Sequence, residues 1–414
     1  MSLDPLRGSR RSFLRATSAW AAGVGAGIAG VRPILAGEVI EQAFEHGIRP
    51  LVKYPQKRPL IRLTTRPPQL ETPMAVFNES LLTPNDAFFV RYHLTQSPPR
   101  RALLEPDSFR LTIAGRVQTP LIFSVAELKT RFEVAEVVAV NQCAGNGRGF
   151  FQPRVPGGQL GNGAMGCARW RGVRLADVLK AAALQAGARQ VLFNGLDAPL
   201  LPQTPDFIKA LEIDRALDPE LLLAFEMNGE PLPWLNGFPL RLVVPGYYGT
   251  YWVKHVHEIT VVDDEFKGFW MNPGYRIPDE PCAAIEPGTT PKRTIPITRL
   301  NVRSFITSLA AGDAIPVGRE TRIRGMAFDG GAGISEVLVS SDAGRTWSGT
   351  DLSPSLGRFA FREWTTAIQP QQVGPMTLMA RAINRLGESQ PLKPLWNPAG
   401  YMRNCVESVH VRAT

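Results

Sequence analysis

The sequence predicts an α+β chain, in which a mixed α/β domain is followed by an all-β sandwich. Three observations carry that prediction. Apolar residues recur at helical spacing in only two short stretches, whereas short runs that alternate or stay apolar recur along the whole length. Glycine (38) and proline (36) interrupt helices repeatedly, yet stay well below the roughly 25–30% share of a low-complexity chain. The third is a change of character at 285–297, IEPGTTPKRTIPI, a Pro/Thr-rich boundary. Beyond it, TRIRGMAFDGGAGISEVLVSSDAGRTWSGTDL alternates apolar and polar residues with closely spaced turn signals, as antiparallel sheets packed face to face do.

The elements follow in chain order. Residues 9–15, SRRSFLR, resemble a twin-arginine export motif, and an Ala/Gly-rich apolar stretch follows, too short and Gly-rich to span a membrane. Residues 1–36 are therefore read as a signal peptide, which places the mature chain in the periplasm, exported folded and without a membrane span. The Pro/Arg-rich segment 37–75 reads as an extended arm, and PNDAFFVRYHL (84–94) as an aromatic strand. Residues 110–127 read as two strands leading into a short helix, FSVAELKTRF, where Ser124 and Glu127 form a capping box. The apolar strand VAEVVAVNQC ends at Cys143 in a glycine-rich turn. RLADVLKAAAL (174–184) has the spacing of an amphipathic helix. RQVLFNGLD, LRLVVPG and the long TYWVKHVHEITVVD read as strands. On this reading 76–285 is the catalytic domain and 286–414 the sandwich.

Composition narrows the function. The chain has 414 residues, 44% hydrophobic and 20% charged, which is ordinary for a globular protein of two to three domains. Its net charge is +9, and Arg carries the excess, as only nine of the 46 basic residues are Lys. Arg suits oxyanions through its planar fork. No dense basic run is interleaved with aromatics, so nucleic acid is not the partner. Four cysteines without a CxxC pair exclude a disulfide scaffold, zinc ribbons, thioredoxin-like chemistry and c-type haem attachment. His255 and His257 alternate on the predicted strand and would share a face, a pair read as ordinary strand residues rather than a metal site.

Chemistry concentrates in NQCAGNGRGF (141–150). Cys143 closes a buried strand beside three glycines that permit close backbone approach, and Arg148 follows five residues on. A thiolate there serves as a nucleophile or as ligand to a soft metal; a buried inert cysteine is the alternative. His93, His255 and His257 are the candidate bases for a nucleophile. Arg91, His93, Arg241 and Lys254, spread beside glycine turns, suit a large, multiply anionic cofactor.

NQCAGNGRGF, GNGAMGCARWRGVRLADVL, EMNGEPLPWLNGFPLRLVVPG and YYGTYWVKH together resemble the molybdopterin domain of the sulfite oxidase family, and in particular its bacterial periplasmic sulfite dehydrogenases. The likeness covers most of 75–280, and the remainder is similar to that family's immunoglobulin-like dimerisation domain. The resemblance implies one molybdenum-molybdopterin per chain with Cys143 as the metal ligand, while Cys167 is not one. It implies Arg91, Arg148, His93, Tyr275 and, from NPAGYMRN, Arg403 as active-site residues; Arg403 stands farther from Trp396-Asn397 than the family's arginine does. It places Phe89, Val90, Arg91, Tyr92, His93, Asp197, Asn236, Arg241, Trp252, Val253 and Lys254 around the pterin, with Arg241 and Lys254 at its phosphate. The implied reaction is oxidation of sulfite to sulfate, with electrons passed singly to a periplasmic c-type cytochrome and no haem in this chain. Reduction of sulfoxides or oxidation of sulfane sulfur on the same cofactor is the alternative. The assembly implied is a homodimer, or a heterodimer with a cytochrome subunit.

Overall fold

Ser124 caps the first helix as its sequence requires. In the computed structural model, which describes residues 37–41, 47–94 and 96–414, the Glu127 N–H donates to the Ser124 hydroxyl at 3.1 Å and the Ser124 N–H to the Glu127 carboxylate at 2.8 Å. This closes the capping box at the head of Val125–Arg131. The second predicted helix is Leu175–Ala181, and it buries Leu175, Val178 and Leu179. Otherwise the described residues hold one further α-helical turn, Ile213–Ala216, and short 3-10 segments. Strands therefore dominate more than the mixed α/β reading expected. The export signal read at 1–36 lies outside the described residues.

The segment read as an extended arm is a sheet. Val39–Glu41, Ile48–Val52, Leu60–Thr64 and Gln69–Glu71 form an antiparallel meander that ends on Val90–Arg91. Most of its prolines sit in the connections; Pro50 alone lies within a strand, opposite Val39. The aromatic run 84–94 contributes only those two strand residues, fewer than predicted.

Two five-stranded sheets frame the site. In one, Lys209–Glu212, Gln190–Gly195, Val256–Val262, Leu111–Gly115 and Leu121–Phe123 lie side by side, with the pairing of Val256–Val262 to Leu111–Gly115 parallel. In the other, Val134–Gln142 pairs with Met165–Arg174, which pairs with Leu222–Met227; Glu230–Pro231 and Arg241–Val243 flank the latter. The last five residues of Val134–Gln142 are all buried, so the strand delivers Cys143 into the interior.

The predicted long strand 250–263 is shorter. It begins only at Val256, because Gly249–Tyr251 is a 3-10 turn and His255 takes a positive φ of 53°. That left-handed residue breaks the alternation, so His255 and His257 do not form the same-face strand pair read from sequence.

Beyond residue 300, two sheets pack face to face, one of Arg303–Ile306, Thr321–Phe328, Arg362–Ile368 and Asp351–Leu352, the other built around Ile334–Ser340, Gly374–Asn384 and Ser408–Ala413. Ile323 and Trp364 from the first meet Val337, Leu378 and Val411 from the second in a shared core. Phe305, Phe328, Phe359 and Phe361 join the larger core that contains Cys143.

Candidate active site

One cavity collects most of the predicted residues. Phe89, Arg91, His93, Cys143, Asp197, Asn236, Arg241, Trp252, Val253, Lys254 and Tyr275 all line it. They come from six stretches of chain, most of them delivered by a strand end or a tight turn. Cys143 is 9% exposed, and its N–H is tied to the Ala164 carbonyl at 2.9 Å.

The wall is cationic. Arg91, Arg241 and Lys254 face it, and Asp197 is the sole carboxylate among its lining residues. Burial lowers the Lys254 ammonium to about 7, with Arg241 adding repulsion and Asp197 opposing it. Burial likewise brings Arg241 down to about 9. Arg241 therefore keeps its charge at neutral pH, while Lys254 is poised to gain a full one when an anion arrives. Lys254 donates to the Arg91 carbonyl at 2.8 Å and lies over the Tyr92 ring at 4.1 Å. The Arg241 guanidinium lies 5.2 Å from the Trp170 ring and 5.7 Å from the Trp252 ring and donates to the Asn236 carbonyl at 2.9 Å.

His93 and Tyr275 form a hydrogen-bonded pair between the imidazole Nε2 and the phenol oxygen. Burial holds His93 well below its usual range, with repulsion from Arg91, Lys254, Lys209 and Arg148 adding to it. Burial also pushes the Tyr275 phenol far up. The imidazole is therefore neutral and accepts, and the phenol keeps its proton and donates. Phe207 stacks on His93 at 4.1 Å and Trp270 meets it edge-on at 4.9 Å, a shell that keeps water away.

Arg148 does not line the cavity; it stands one layer behind. Its guanidinium lies 4.8 Å above the Tyr401 ring, and Tyr401 stacks on Tyr275 at 5.3 Å and 13°. Its Nε donates to the Ala399 carbonyl at 3.1 Å. Three glycines make room for it. A Cβ on Gly145, Gly157 or Gly400 would stand 2.8, 2.9 and 2.9 Å from Arg148 atoms.

Arg403, predicted as an active-site residue, is a correction. It is held by the Glu407 carboxylate and lies over Phe150 at 4.8 Å, outside the cavity lining. Tyr401, two residues earlier, is the C-terminal residue that reaches the site. Val90 and Tyr92, predicted around the pterin, also require correction. Phe89, Arg91 and His93 line the cavity, whereas Val90 and Tyr92 do not. Val90 and Tyr92 instead join Leu60, Leu70 and Leu235 in a separate core. Asn236 does reach the cavity, but its amide is engaged: Lys57 Nζ donates to its Oδ1 at 2.6 Å, and its Nδ2 donates to the Phe89 carbonyl at 3.1 Å. Burial lowers that lysine to about 7.

Neither does His255 serve as a base. Its Nδ1 donates to the Phe238 carbonyl and the Tyr92 hydroxyl donates to its Nε2, both at 2.7 Å, and burial holds it down at about 3. Asn141, Phe207, Thr250, Lys209 and Tyr401 were missed by sequence reasoning. Asn141 alone had a readable signal, its position two residues before Cys143 on an inward strand. Lys209 is buried, and among the described residues no carboxylate pairs with it; its Nζ donates to the Trp270 carbonyl and lies 4.9 Å from the Tyr275 ring centre, and burial lowers it to about 7.

The donors fit a metal that arrives with its own ligands on an anionic, heteroatom-rich carrier. Among the described residues no three or more His, Cys, Asp or Glu side chains converge on a metal position, so Cys143 offers a single soft donor. Buried polar atoms in the same wall lack partners: both amide atoms of Asn141, Arg241 Nε and the Thr250 hydroxyl.

Comparison with known proteins agrees. Residues 97–270 match the oxidoreductase molybdopterin binding domain and 294–414 the Mo-co oxidoreductase dimerisation domain. The chain is 35% identical to sulfite oxidase of Gallus gallus over 369 residues, covering 85% of this chain and 78% of that one. It is 29% identical to sulfite oxidase of Arabidopsis thaliana over 393 residues, 88% of this chain and 98% of that one. Its fold matches the sulfane dehydrogenase SoxCD from Paracoccus pantotrophus with a TM-score of 0.71 at 24% identity, covering 85% of this chain and 88% of that one. Fold and site thus define a molybdopterin-dependent oxidoreductase. The chain belongs to the sulfite oxidase family.

Proposed function

We propose that this chain is a periplasmic sulfite dehydrogenase. The observation that supports this best is a lone buried thiol in a wall where Arg91, Arg241 and Lys254 face one carboxylate, Asp197. Cys143 would hold the molybdenum, and Arg241 and Lys254 the pterin phosphate by charge pairing. Phe89, Asp197, Asn236, Trp252 and Val253 would line the pterin. When bound, the molybdenum–pterin group supplies two-electron oxygen-atom transfer, the chemistry that turns sulfite into sulfate.

The protein's part is orientation and field. Arg91 binds the substrate anion at the cavity wall. Arg148 adds positive potential through the Tyr401–Tyr275 stack, little screened by solvent because Arg148 and Tyr275 are both buried. Neutral His93 fixes the Tyr275 phenol, so a proton is held at that oxygen next to the substrate position. Electrons leave one at a time to a periplasmic c-type cytochrome, bound as a subunit or met transiently, and the basic surface favours an acidic partner. The face-to-face C-terminal sheets serve, on this reading, as an immunoglobulin-like dimerisation domain. Export by the twin-arginine route fits a cofactor loaded before translocation.

Sulfite-dependent reduction of cytochrome c by molybdenum-loaded protein tests the reading, beside parallel assays with methionine sulfoxide and with a sulfane-sulfur donor. Turnover of sulfite alone supports it. Turnover confined to a sulfane substrate replaces it with the sulfane dehydrogenase alternative, whose fold this chain shares. Turnover confined to the sulfoxide replaces it with a reductase.

A further inference from the structure

Asn141 has no role in the site as set out so far. It lies two residues before Cys143, so the two side chains leave the same side of the chain about 7 Å apart, and both line the cavity. Asn141 is 1% exposed, and among the described residues neither its Nδ2 nor its Oδ1 has a hydrogen-bond partner. Its neighbour Gln142, on the other side of the strand, is engaged: its Oε1 accepts from Asn146 and from Arg303, both at 3.3 Å. The unpaired state of Asn141 is therefore specific to the cavity side.

A second element is shaped around this amide. A Cβ on Gly249 would stand 2.4 Å from Asn141 Oδ1, so only glycine leaves the amide its place. The next residue, Thr250, is 5% exposed, lines the same cavity, and has a hydroxyl without a partner. Buried amides and hydroxyls are nearly always paired, because desolvating them unpaired is costly. A neutral group with two donors and an acceptor, aided by a hydroxyl, is complementary to the edge of a nitrogen heterocycle. An anion would be served by donors alone, and Arg241 and Lys254 already supply that part of the wall.

We propose that Asn141, with Thr250 beside it, is a recognition pair that hydrogen-bonds a donor-and-acceptor edge of the pterin, at a distance from the Cys143 sulfur set by the two-residue strand step. The proposal rests on the molybdopterin assignment. It makes retention of the cofactor depend on residues that the motif match did not mark.

Asn141→Leu, close in shape and apolar, tests it, with Thr250→Val as the milder companion. Each full-length variant is made in a host that synthesises the pterin and in one that does not. Three quantities are read: pterin released per chain by fluorescence, the rate of pterin loss on dialysis, and the melting midpoint of both forms. The expected result is pterin-free Asn141→Leu that melts no lower than pterin-free wild type, because an unpaired amide has been removed. The loaded form should lose pterin about tenfold faster, the effect of one hydrogen bond worth ~1.4 kcal/mol. Thr250→Val should shift the same way by less. Wild-type pterin content and loss rate in Asn141→Leu would overturn the proposal, leaving the amide with ordered water only. A pterin-free Asn141→Leu that melts well below wild type would overturn it too, by making the amide structural. Wild type that carries no pterin from the competent host would instead sink the cofactor assignment beneath it.

Discussion

The glycine cage around Arg148 offers a test in which structure sets the magnitude. Gly400 is buried with φ +61°, and an added Cβ would meet Val155 Cγ2 at 2.5 Å, Arg148 Cγ at 2.9 Å and Arg148 Nε at 3.1 Å. Two costs then add in Gly400→Ala. A left-handed backbone costs a residue with a Cβ about 1–2 kcal/mol, and forcing a methyl into a packed site about 1–3 kcal/mol. The total is about 2–5 kcal/mol. Gly318 separates the two: its φ is +73°, it is exposed, and nothing lies within 4 Å of a Cβ there, so Gly318→Ala carries the backbone cost alone. At roughly 2 °C of melting temperature per kcal/mol, Gly400→Ala should melt below Gly318→Ala by a further ~2–6 °C. The displaced guanidinium should also loosen its bond to the Ala399 carbonyl and its stack on Tyr401, raising KM for an anionic substrate in Gly400→Ala only. Calorimetry and steady-state kinetics on both variants check this. Equal melting shifts with an unchanged KM would refute the idea that the three glycines lock Arg148.

Cys143→Ser replaces a soft donor with a hard one, so molybdenum content by elemental assay and turnover should both fall to background while the melting curve of the pterin-free chain stays within ~1 kcal/mol of wild type. Tyr275→Phe removes the donor to His93 Nε2; turnover should drop by ~10²-fold with pterin content unchanged, and equal losses in both would make the phenol a cofactor contact instead. His255 supplies a pH prediction. Its imidazole stays neutral down to about 3 in the fold but protonates near 6.5 when unfolded. Between those values the unfolded chain binds the extra proton, so stability falls as pH drops, by ~1.4 kcal/mol per pH unit from this group. His255→Gln should flatten the acid-side slope by about one proton when denaturation midpoints are compared at pH 5 and pH 7; an unaltered slope would show that this histidine does not titrate on unfolding.

Local pattern carried much of the site. The strand into Cys143 is legible because a run buried on both faces and a glycine turn follow from neighbouring side chains, and the Ser124–Glu127 box acts over three residues. The run 84–94 reads as one strand, but only Val90–Arg91 is strand, so its pattern alone does not separate Phe89, Arg91 and His93 from Val90 and Tyr92.

What the chain's own letters determined, then, are the contacts made within a few residues: caps, inward strand faces, and the single thiol at a strand end. Packing between distant segments decided the rest. Glu407 draws Arg403 away and leaves Tyr401 to cover Tyr275, while Lys57 engages the Asn236 amide. A left-handed His255 ends a strand that its composition would have continued. Such choices depend on which partner lies closest in space, and sequence spacing carries no information about a carboxylate or a ring that arrives from another sheet.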